Sequence, residues 1–293
     1  MRLLEYRRLD DPARRLGSTV EVDGEPVGVI DLGSRLDTAP DGLGQLLSDP
    51  NGLAAAQRAA AGISTPDDSL DEIEFLPLLG DTGRVFAAGL NYEKKYPAGK
   101  QPPTPTHPPW FSKVPGTLVG HGQPVVAPSV DESFDYEAEL AAVLGRGGRH
   151  VPVEDALGLV AGWTCFNDGS VRAWQRHSVN AGKNFERSGS IGPWMVTTDR
   201  VADPQDLRLQ ARVDGEIRQD ASTGEMIFTV AEIISYLSRA IELRPGDVIA
   251  TGSPEGTGGS FDPPRFLVAG QVVEIEVEDI GILRNHVIAE EAR

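Results

Sequence analysis

The sequence predicts a mixed β protein of the α+β class, built as a sandwich or barrel of short strands with few helices. Two observations support this prediction. From Pro124 onward, short apolar segments recur between turn-forming Gly, Pro, Asn and Asp residues, which is the pattern of strands. Only one long segment there, residues 230–243, repeats its apolar positions at helical spacing, and Pro245-Gly246 follow it.

The first 80 residues differ from the rest, because short extended segments alternate there with helical ones. Residues 17–32 are typical of a hairpin turned at Asp23-Gly24, a dipeptide that tolerates the positive φ angles of two-residue turns. Residues 41–49 and 53–61 have helical patterns. We therefore expect a small N-terminal α/β domain over residues 1–80 and a larger domain over residues 81–293.

In the larger domain, a Pro-rich loop over residues 96–111 follows a first apolar strand and predicts a stiff, irregular excursion of the chain. The segments with strand character are residues 84–92, 124–128, 136–145, 158–168, 192–198, 207–219, 246–254 and 271–288.

Composition excludes several classes of partner. The chain has 27 Lys and Arg against 44 Asp and Glu, a formal charge of −17, which argues against nucleic acid because phosphate binding needs basic surfaces. It contains no uncharged run of 18 or more apolar residues and no signal-peptide pattern, so we expect no membrane partner. The single cysteine, Cys165, suits a reducing compartment, and we expect a cytoplasmic protein with that thiol buried.

The stretch FDYEAEL, residues 134–140, contains the first candidate site. In an extended chain Asp135, Glu137 and Glu139 share one face, where neighbouring anions about 6.6 Å apart repel by roughly 2.5 kcal/mol at an effective dielectric constant of ~20. Asp168 ends another apolar strand and can add a third ligand to Glu137 and Glu139. Carboxylate oxygens in this number suit a hard divalent cation such as Mg²⁺ or Mn²⁺. The alternative is a solvated strand face, although the apolar residues that follow place the acids at the edge of a cavity.

Residues 168–186 contain the second candidate site. Arg172, Gln175 and Lys183 bring donors for a carboxylate or carbonyl group soon after Asp168. An ordinary basic helix and loop is the alternative. Residues 245–258 contain a third, a tight turn after a buried strand that presents Thr251 and backbone N–H groups to a ligand, with plain turn chemistry as an equal alternative.

Taken in this order, the segments resemble the fumarylacetoacetate hydrolase superfamily. The similarity covers roughly residues 85–285 and rests on residues 89–96, 108–113, 134–145, 162–175, 182–186, 192–199, 213–219, 243–258 and 263–270. The resemblance implies a β-sandwich roll with a smaller N-terminal domain, a homodimer, and a Mg²⁺ or Mn²⁺ site held by Glu137, Glu139 and Asp168. It also implies a catalytic Lys183, with Arg172, Gln175, Thr251, Tyr92 and Lys113 around a small anionic oxo-acid substrate.

The chain departs from that family where hydrolytic members carry a water-activating dyad. Their His, three residues after the Tyr of GLNY, is replaced by Lys95, and their Glu three residues further on is replaced by Ala98. A protonated Lys is not a general base, so Lys95 would need a lowered pKa to take over that role. The Asp that usually follows the Arg of the S-A-R-D stretch is also absent, since Ala173 follows Arg172.

The expected function is a divalent-metal-dependent reaction of a small 2-oxo acid or 1,3-dicarbonyl compound through a metal-bound enolate. Hydrolysis of a C–C bond, as with acylpyruvates, is the family default. Decarboxylation, isomerisation or dehydration needs no activated water and suits the missing dyad, so both interpretations stay open. A third interpretation, from another functional class, is a catalytically inactive, metal-stapled binding protein, in which the metal ion serves only to stabilise the fold.

Overall fold

Strands form most of the regular structure, as the sequence predicted. The computed structural model describes residues 1–79, 83–93 and 103–291. The strands are, in chain order, β1 Arg2–Arg8, β2 Asp11–Val22, β3 Glu25–Asp31, β4 Asp68–Ser69, β5 Ile73–Phe75, β6 Val85–Ala88, β7 Trp110–Lys113, β8 Leu118–Val119, β9 Val125–Ala127, β10 Phe134–Asp135, β11 Ala138–Leu144, β12 Val160–Asn167, β13 Ser170–Val171, β14 Gly189–Thr197, β15 Arg208–Val213, β16 Glu216–Ser222, β17 Val248–Ala250, β18 Val272–Val277 and β19 Gly281–Ala289. The helices are α1 Leu43–Ser48, α2 Gly52–Ala60, α3 Val153–Ala156, α4 Arg172–Gln175, α5 Val179–Lys183 and α6 Val230–Ala240.

Two sheets dominate the architecture. The larger runs in the order β4-β3-β2-β1-β14-β12-β11-β17-β6-β7, with β5 paired to β1 and β8 to β14, and the smaller runs β16-β15-β18-β19-β9. Strand β1 pairs with β14, with Arg2 opposite Val196, so one sheet includes strands from both sides of residue 80. The division into domains at that residue stays a prediction.

The central strand β11 is buried on both faces. Leu140, Ala142 and Leu144 belong to the core between the two sheets, whereas Ala141 and Val143 belong to the core beneath the N-terminal helices. Because side chains alternate along a strand, a shift of one residue would exchange these two sets. Packing on both faces therefore holds the register of β11, and with it the position of Glu139.

The hairpin and the helices expected in the N-terminal segment are present. Asp23 and Gly24 turn the hairpin with φ angles of 51° and 87°.

Helix α6 begins with a capping box between Thr229 and Glu232 and ends at Ala240, three residues earlier than the pattern predicted. It ends there because Leu243 pairs with the backbone of Gly148. Within the described residues, no helix has the length and apolar character needed to span a bilayer.

The stretch FDYEAEL is broken, where the sequence predicted one continuous strand. Strand β10 ends at Asp135 and β11 begins at Ala138, because side chains take the backbone N–H groups between them. The amide of Glu137 donates to Asn167 Oδ1 at 3.1 Å, and that of Ala138 donates to Gln219 Oε1 at 2.9 Å. The Gln219 amide nitrogen donates in turn to Ser253 Oγ and to the carbonyl of Pro254, both at 2.8 Å.

Replacing Gln219 by Leu should therefore destabilise the protein. The variant would leave the Ala138 amide and the Pro254 carbonyl buried without partners, and each unsatisfied group costs about 1–3 kcal/mol. We expect a loss of roughly 2–4 kcal/mol in the free energy of unfolding, measured by urea denaturation. Gln57→Leu, at an exposed position of α2, is the control and should change stability by less than about 0.5 kcal/mol. Equal stability of the two variants would contradict the assigned role of Gln219.

Candidate metal centre

The structure brings Glu137, Glu139 and Asp168 together in the interior. Each offers one carboxylate oxygen, and these oxygens lie within 4.8 Å of one another. Strands β11 and β12 are antiparallel with Ala138 opposite Asn167, so the start of one strand meets the end of the other. This register places Glu139 near the start of β11, opposite Phe166. Glu137 lies in the strand break, and Asp168 directly follows β12.

The Glu139 carboxylate shows that these residues fit a divalent cation. Its Oε2 accepts from the amide of Gly252 at 2.8 Å, but its Oε1 is buried and has no hydrogen-bond partner among the described residues. Burial, then the charges of Asp168 and Glu137, raise the pKa of Glu139 well above its ordinary value. Two anions about 4.8 Å apart repel by roughly 3–4 kcal/mol at an effective dielectric constant of ~20. A bound Mg²⁺ or Mn²⁺ would remove this repulsion and ligate the unsatisfied oxygen.

Lys183 lies against two of these carboxylates. Its Nζ donates to Glu137 Oε2 at 2.5 Å and to Asp168 Oδ2 at 2.7 Å. Burial lowers the pKa of Lys183, but the charges of Asp168 and Glu137 outweigh burial and raise it overall. The side chain is therefore an ammonium at neutral pH. It reaches this place from the end of the short helix α5, whose first turn is capped by the Ser178 hydroxyl.

Lys113 is fully buried on the other side of Asp168. Its Nζ donates to Asp168 Oδ1 at 2.8 Å and to the backbone carbonyl of Lys183. The side chain has no exposed surface, so in this structure it supports the carboxylate of Asp168 instead of lining the cavity. The contact with substrate implied by the family resemblance stays a prediction for Lys113.

A cavity of about 320 Å³ opens beside the carboxylates. Its polar wall contains the predicted residues Arg172, Gln175 and Lys183 together with Glu137, and its apolar wall contains Leu90, Pro109, Trp110, Phe111 and Val179. Such a mixture of a few convergent polar groups with apolar side chains is typical of small-molecule sites. The basic residues that follow Asp168 are therefore grouped around a pocket.

Two other predicted residues are buried and are not among the residues that line this cavity, and one lies outside the described residues. The Thr251 hydroxyl is buried and donates to the carbonyl of Leu140 at 2.8 Å. The Tyr92 hydroxyl is buried without a hydrogen-bond partner among the described residues, and burial followed by the charge of Glu139 raises its pKa. Lys95 lies outside the described residues.

Asn91 and Gly252 also hold the site in place, and neither was predicted as a site residue from the sequence. Asn91 donates to the carbonyls of Phe228 and Thr251 and accepts from the amide of Phe228, which joins the end of β6 to the end of β17. In the sequence this Asn belongs to the GLNY segment of the family resemblance, but nothing there indicated its structural role. Gly252, which caps Glu139, lies in a turn that the sequence did indicate.

Comparison with known proteins relates the whole chain to one family. The family of the fumarylacetoacetate (FAA) hydrolase C-terminal region matches residues 84–288. The human mitochondrial oxaloacetate tautomerase FAHD2A is 34% identical over 292 residues, which are 98% of this chain and 92% of that protein. The oxaloacetate tautomerase YisK of Bacillus subtilis (strain 168) is 34% identical over 265 residues, 86% of this chain and 88% of that protein.

A solved structure adds a liganded relative. Maleylpyruvate hydrolase from Sphingobium sp. SYK-6, in complex with a manganese(II) ion and pyruvate, superposes with a TM-score of 0.79. It is 27% identical, and the match covers 99% of this chain and 100% of that chain.

The variant Glu139→Gln should separate metal binding from stability. A neutral side chain of the same shape can still accept from Gly252 but removes one of three repelling charges. We expect affinity for Mn²⁺, measured by calorimetry, to fall at least about tenfold. Burial raises the pKa of the Glu139 carboxyl in the folded protein, so the free energy of unfolding of the wild type falls as the pH rises from 4.5 toward that pKa. At pH 8 the metal-free variant should therefore be more stable than the wild type, as urea denaturation would measure.

Glu5→Gln provides a matched control for that experiment. Glu5 is also a buried carboxylate, but it pairs with Arg14 and accepts from the amide of Leu43 far from the cluster. Its variant should bind Mn²⁺ as the wild type does. If Glu139→Gln bound Mn²⁺ with unchanged affinity, the assignment of the metal centre would be wrong.

Cys165 should not react with thiol reagents in the folded protein. It is buried in β12, its Sγ lies 3.2 Å from the carbonyl of Gly281, and burial raises the pKa of the thiol to about 12. The reactive thiolate is therefore almost absent at pH 8. We expect no labelling by a maleimide in buffer and one equivalent in denaturing urea, with glutathione as the reactive control. Rapid labelling of the folded protein would contradict a buried structural thiol.

Proposed function

The chain belongs to the fumarylacetoacetate hydrolase family, and from this premise we propose that it is a divalent-metal-dependent isomerase. The proposed reaction interconverts the keto and enol tautomers of a small 2-oxo dicarboxylic acid of the oxaloacetate type. The observation that carries the proposal is the group of three buried carboxylates, with the Lys183 ammonium against two of them, at the wall of a small cavity. Two relatives that match 98% and 86% of this chain are oxaloacetate tautomerases.

Keto–enol exchange moves one proton between a carbon atom and the neighbouring oxygen, through an enolate. Bound by Glu137, Glu139 and Asp168, a divalent cation would act as a Lewis acid toward the oxygen on which negative charge develops. The chain must then supply a proton-bearing group and a binding site for the substrate carboxylate, and it must keep water away.

Lys183 meets the first requirement. In the metal-free site the charges of Asp168 and Glu137 raise the pKa of Lys183, so the side chain holds a proton beside the cavity. A fixed positive charge in a water-poor site also stabilises an enolate oxygen. The ring of Phe111, whose centroid lies 5.4 Å from Nζ, covers the ammonium on one side.

Arg172 and the apolar wall meet the other two requirements, which are to bind the substrate carboxylate and to keep water away. The guanidinium lines the cavity, and its Nη2 is buried without a hydrogen-bond partner among the described residues, so it keeps a donor for a carboxylate. Gln175 lies beside it, since Arg172 Nη1 donates to Gln175 Oε1 at 3.3 Å. Trp110, Phe111 and Val179 would limit the water around a bound acid.

The residues Lys95 and Ala98 favour isomerisation over hydrolysis. They stand where hydrolytic members of the family carry the His and Glu that activate water, and keto–enol exchange needs no activated water. A catalytic role for Lys95 stays a prediction, as does substrate binding by Thr251 and Tyr92. The retained Lys183, Arg172 and Gln175 have no purpose in a silent metal-stapled protein.

Hydrolysis of a C–C bond is the second candidate, because a maleylpyruvate hydrolase superposes over 99% of this chain. The test is to supply the Mn²⁺-loaded protein with enol oxaloacetate and, separately, with an acylpyruvate. Faster loss of the enol absorbance supports the isomerase, whereas release of pyruvate and a second acid from the acylpyruvate supports the hydrolase. Release of CO₂ from oxaloacetate would indicate decarboxylation, and enol decay at the rate of buffer would contradict the proposal.

Two accompanying inferences concern assembly and location. The homodimer and the cytoplasmic location expected from the sequence are part of this proposal, and light scattering of the purified protein tests the first. A monomer at micromolar concentration would contradict it. The human relative is mitochondrial.

Lys183→Met should abolish most of the isomerase activity. Met has a similar length but carries no charge or proton, and removing one such group costs about 10²–10³-fold in kcat. We expect Mn²⁺ binding to be retained, because the carboxylates stay in place and lose a competing cation. Arg58→Met, which removes an exposed charge from α2, is the control and should be fully active. An active Lys183→Met variant would contradict the role of Lys183.

A further inference from the structure

Asp135 accepts four hydrogen bonds beside the site, and neither the proposed metal binding nor the proposed proton transfer uses it. It is fully buried at the end of β10. Its Oδ1 accepts from the amides of Tyr136 at 2.9 Å and Gly258 at 2.7 Å. Its Oδ2 accepts from the amide of Gly259 at 2.9 Å and from Arg172 Nε at 2.7 Å. All four partners are donors.

These contacts decide where Arg172 lies. The guanidinium is fixed by Asp135 at Nε and by Glu137 at Nη1, each at 2.7 Å. The Asp that follows the corresponding Arg in the family pattern is absent, since Ala173 follows Arg172. An orienting carboxylate is therefore supplied by β10, 37 residues earlier in the chain.

The same carboxylate fastens the loop after β17. The glycines at 258 and 259 donate to it, and a Cβ at Gly258 would lie 2.7 Å from Asp135 Oδ1. The start of that loop binds a metal ligand, because Gly252 donates to Glu139. Asp135 thus connects the loop that caps Glu139 to the arginine that lines the cavity.

We propose that Asp135 is a positioning residue for substrate recognition: it holds Arg172 in the orientation that binds the substrate carboxylate. The inference rests on the proposed function only for the identity of the substrate. A guanidinium held at two of its atoms by two carboxylates, Asp135 at Nε and Glu137 at Nη1, rotates less freely than one held at a single atom. A pre-oriented donor then binds a planar anion with less loss of entropy.

Asp135→Asn tests this role. Wherever an Asn side chain turns, its NH₂ group faces two donors: the amides of Tyr136 and Gly258, or the Gly259 amide and Arg172 Nε. We expect the Asn oxygen to face the amides of Tyr136 and Gly258, so that Arg172 Nε loses its acceptor while Nη1 keeps Glu137. The probe is oxalate, a planar dicarboxylate, titrated calorimetrically into the Mn²⁺-loaded protein.

The expected result is a 10- to 100-fold loss of oxalate affinity, the range for one charged hydrogen-bond partner. Affinity for Mn²⁺ should stay within about threefold of the wild type, because Asp135 is not among the three converging ligands. With oxaloacetate, KM should rise by more than kcat falls.

Asp247→Asn is the matched control. Asp247, like Asp135, is buried and pairs with an arginine. It contacts Arg84 at two atoms, Nε at 2.8 Å and Nη2 at 2.6 Å, and it lies at the opposite end of β17 from the proposed metal ligands. Its variant should lose stability in urea and bind oxalate as the wild type does. This comparison separates the general cost of breaking a buried Asp–Arg pair from a specific effect on recognition.

If Asp135→Asn does not fold, Gly258→Ala decides the question. The added Cβ would also meet the carbonyl oxygen of Arg265 at 2.4 Å, so the loop must move away from Asp135, and the neighbouring Glu255 and Gly259 are exposed, which permits that movement. We expect a loss of oxalate affinity here as well.

Unchanged oxalate affinity in whichever variant folds would overturn the inference, because Asp135 would then serve stability alone. A parallel loss of Mn²⁺ affinity would overturn it too, since Asp135 would then act through the metal ligands. Failure of the proposed function gives a different result, in which the wild type and the Asp247→Asn control bind oxalate but leave enol oxaloacetate unchanged.

Discussion

The arrangement of the interior depends on the mutual repulsion of three buried carboxylates. Glu137, Glu139 and Asp168 lie too close together to be charged at little cost in a water-poor environment, and Glu139 Oε1 lacks a hydrogen-bond partner among the described residues. Positive groups compensate in part: Lys183 contacts two of the acids and Lys113 contacts one. A divalent cation bound as proposed would complete this balance and would account for so many charged side chains at one place.

Rigid packing is what allows such a costly cluster to persist. Strand β11 is buried on both faces and hydrogen-bonded on both edges, to β12 and β17. Its register cannot slip without burying the wrong side chains. At the strand break before Ala138, the side chains of Asn167 and Gln219 satisfy the amides of Glu137 and Ala138, while the Glu137 carbonyl accepts from the amide of Asp168 at 3.0 Å.

Several features of the site were predictable from local patterns. The alternation of Asp135, Glu137 and Glu139 with apolar residues indicated acids on one face, and the apolar residues after them indicated a buried strand. The position of Asp168 directly after a strand indicated a ligand at the strand end. The break in the strand was not predictable, because it depends on Asn167 and Gln219, which are far away in sequence. The burial of Lys113 was not predictable either, because it depends on the distant Asp168.

What the sequence by itself determined is therefore the chemistry of the groups and their periodicity. A two-residue repeat of carboxylates, a strand that ends in Asp168, and Lys and Arg soon after it can be recognised without coordinates, because they are local in the chain. The tertiary structure alone decided which groups meet. Asp135 bonds to Gly258 and to Arg172 across separations of 123 and 37 residues, and the sequence contains no signal for either contact, since burial and pairing at such distances depend on how the whole chain packs.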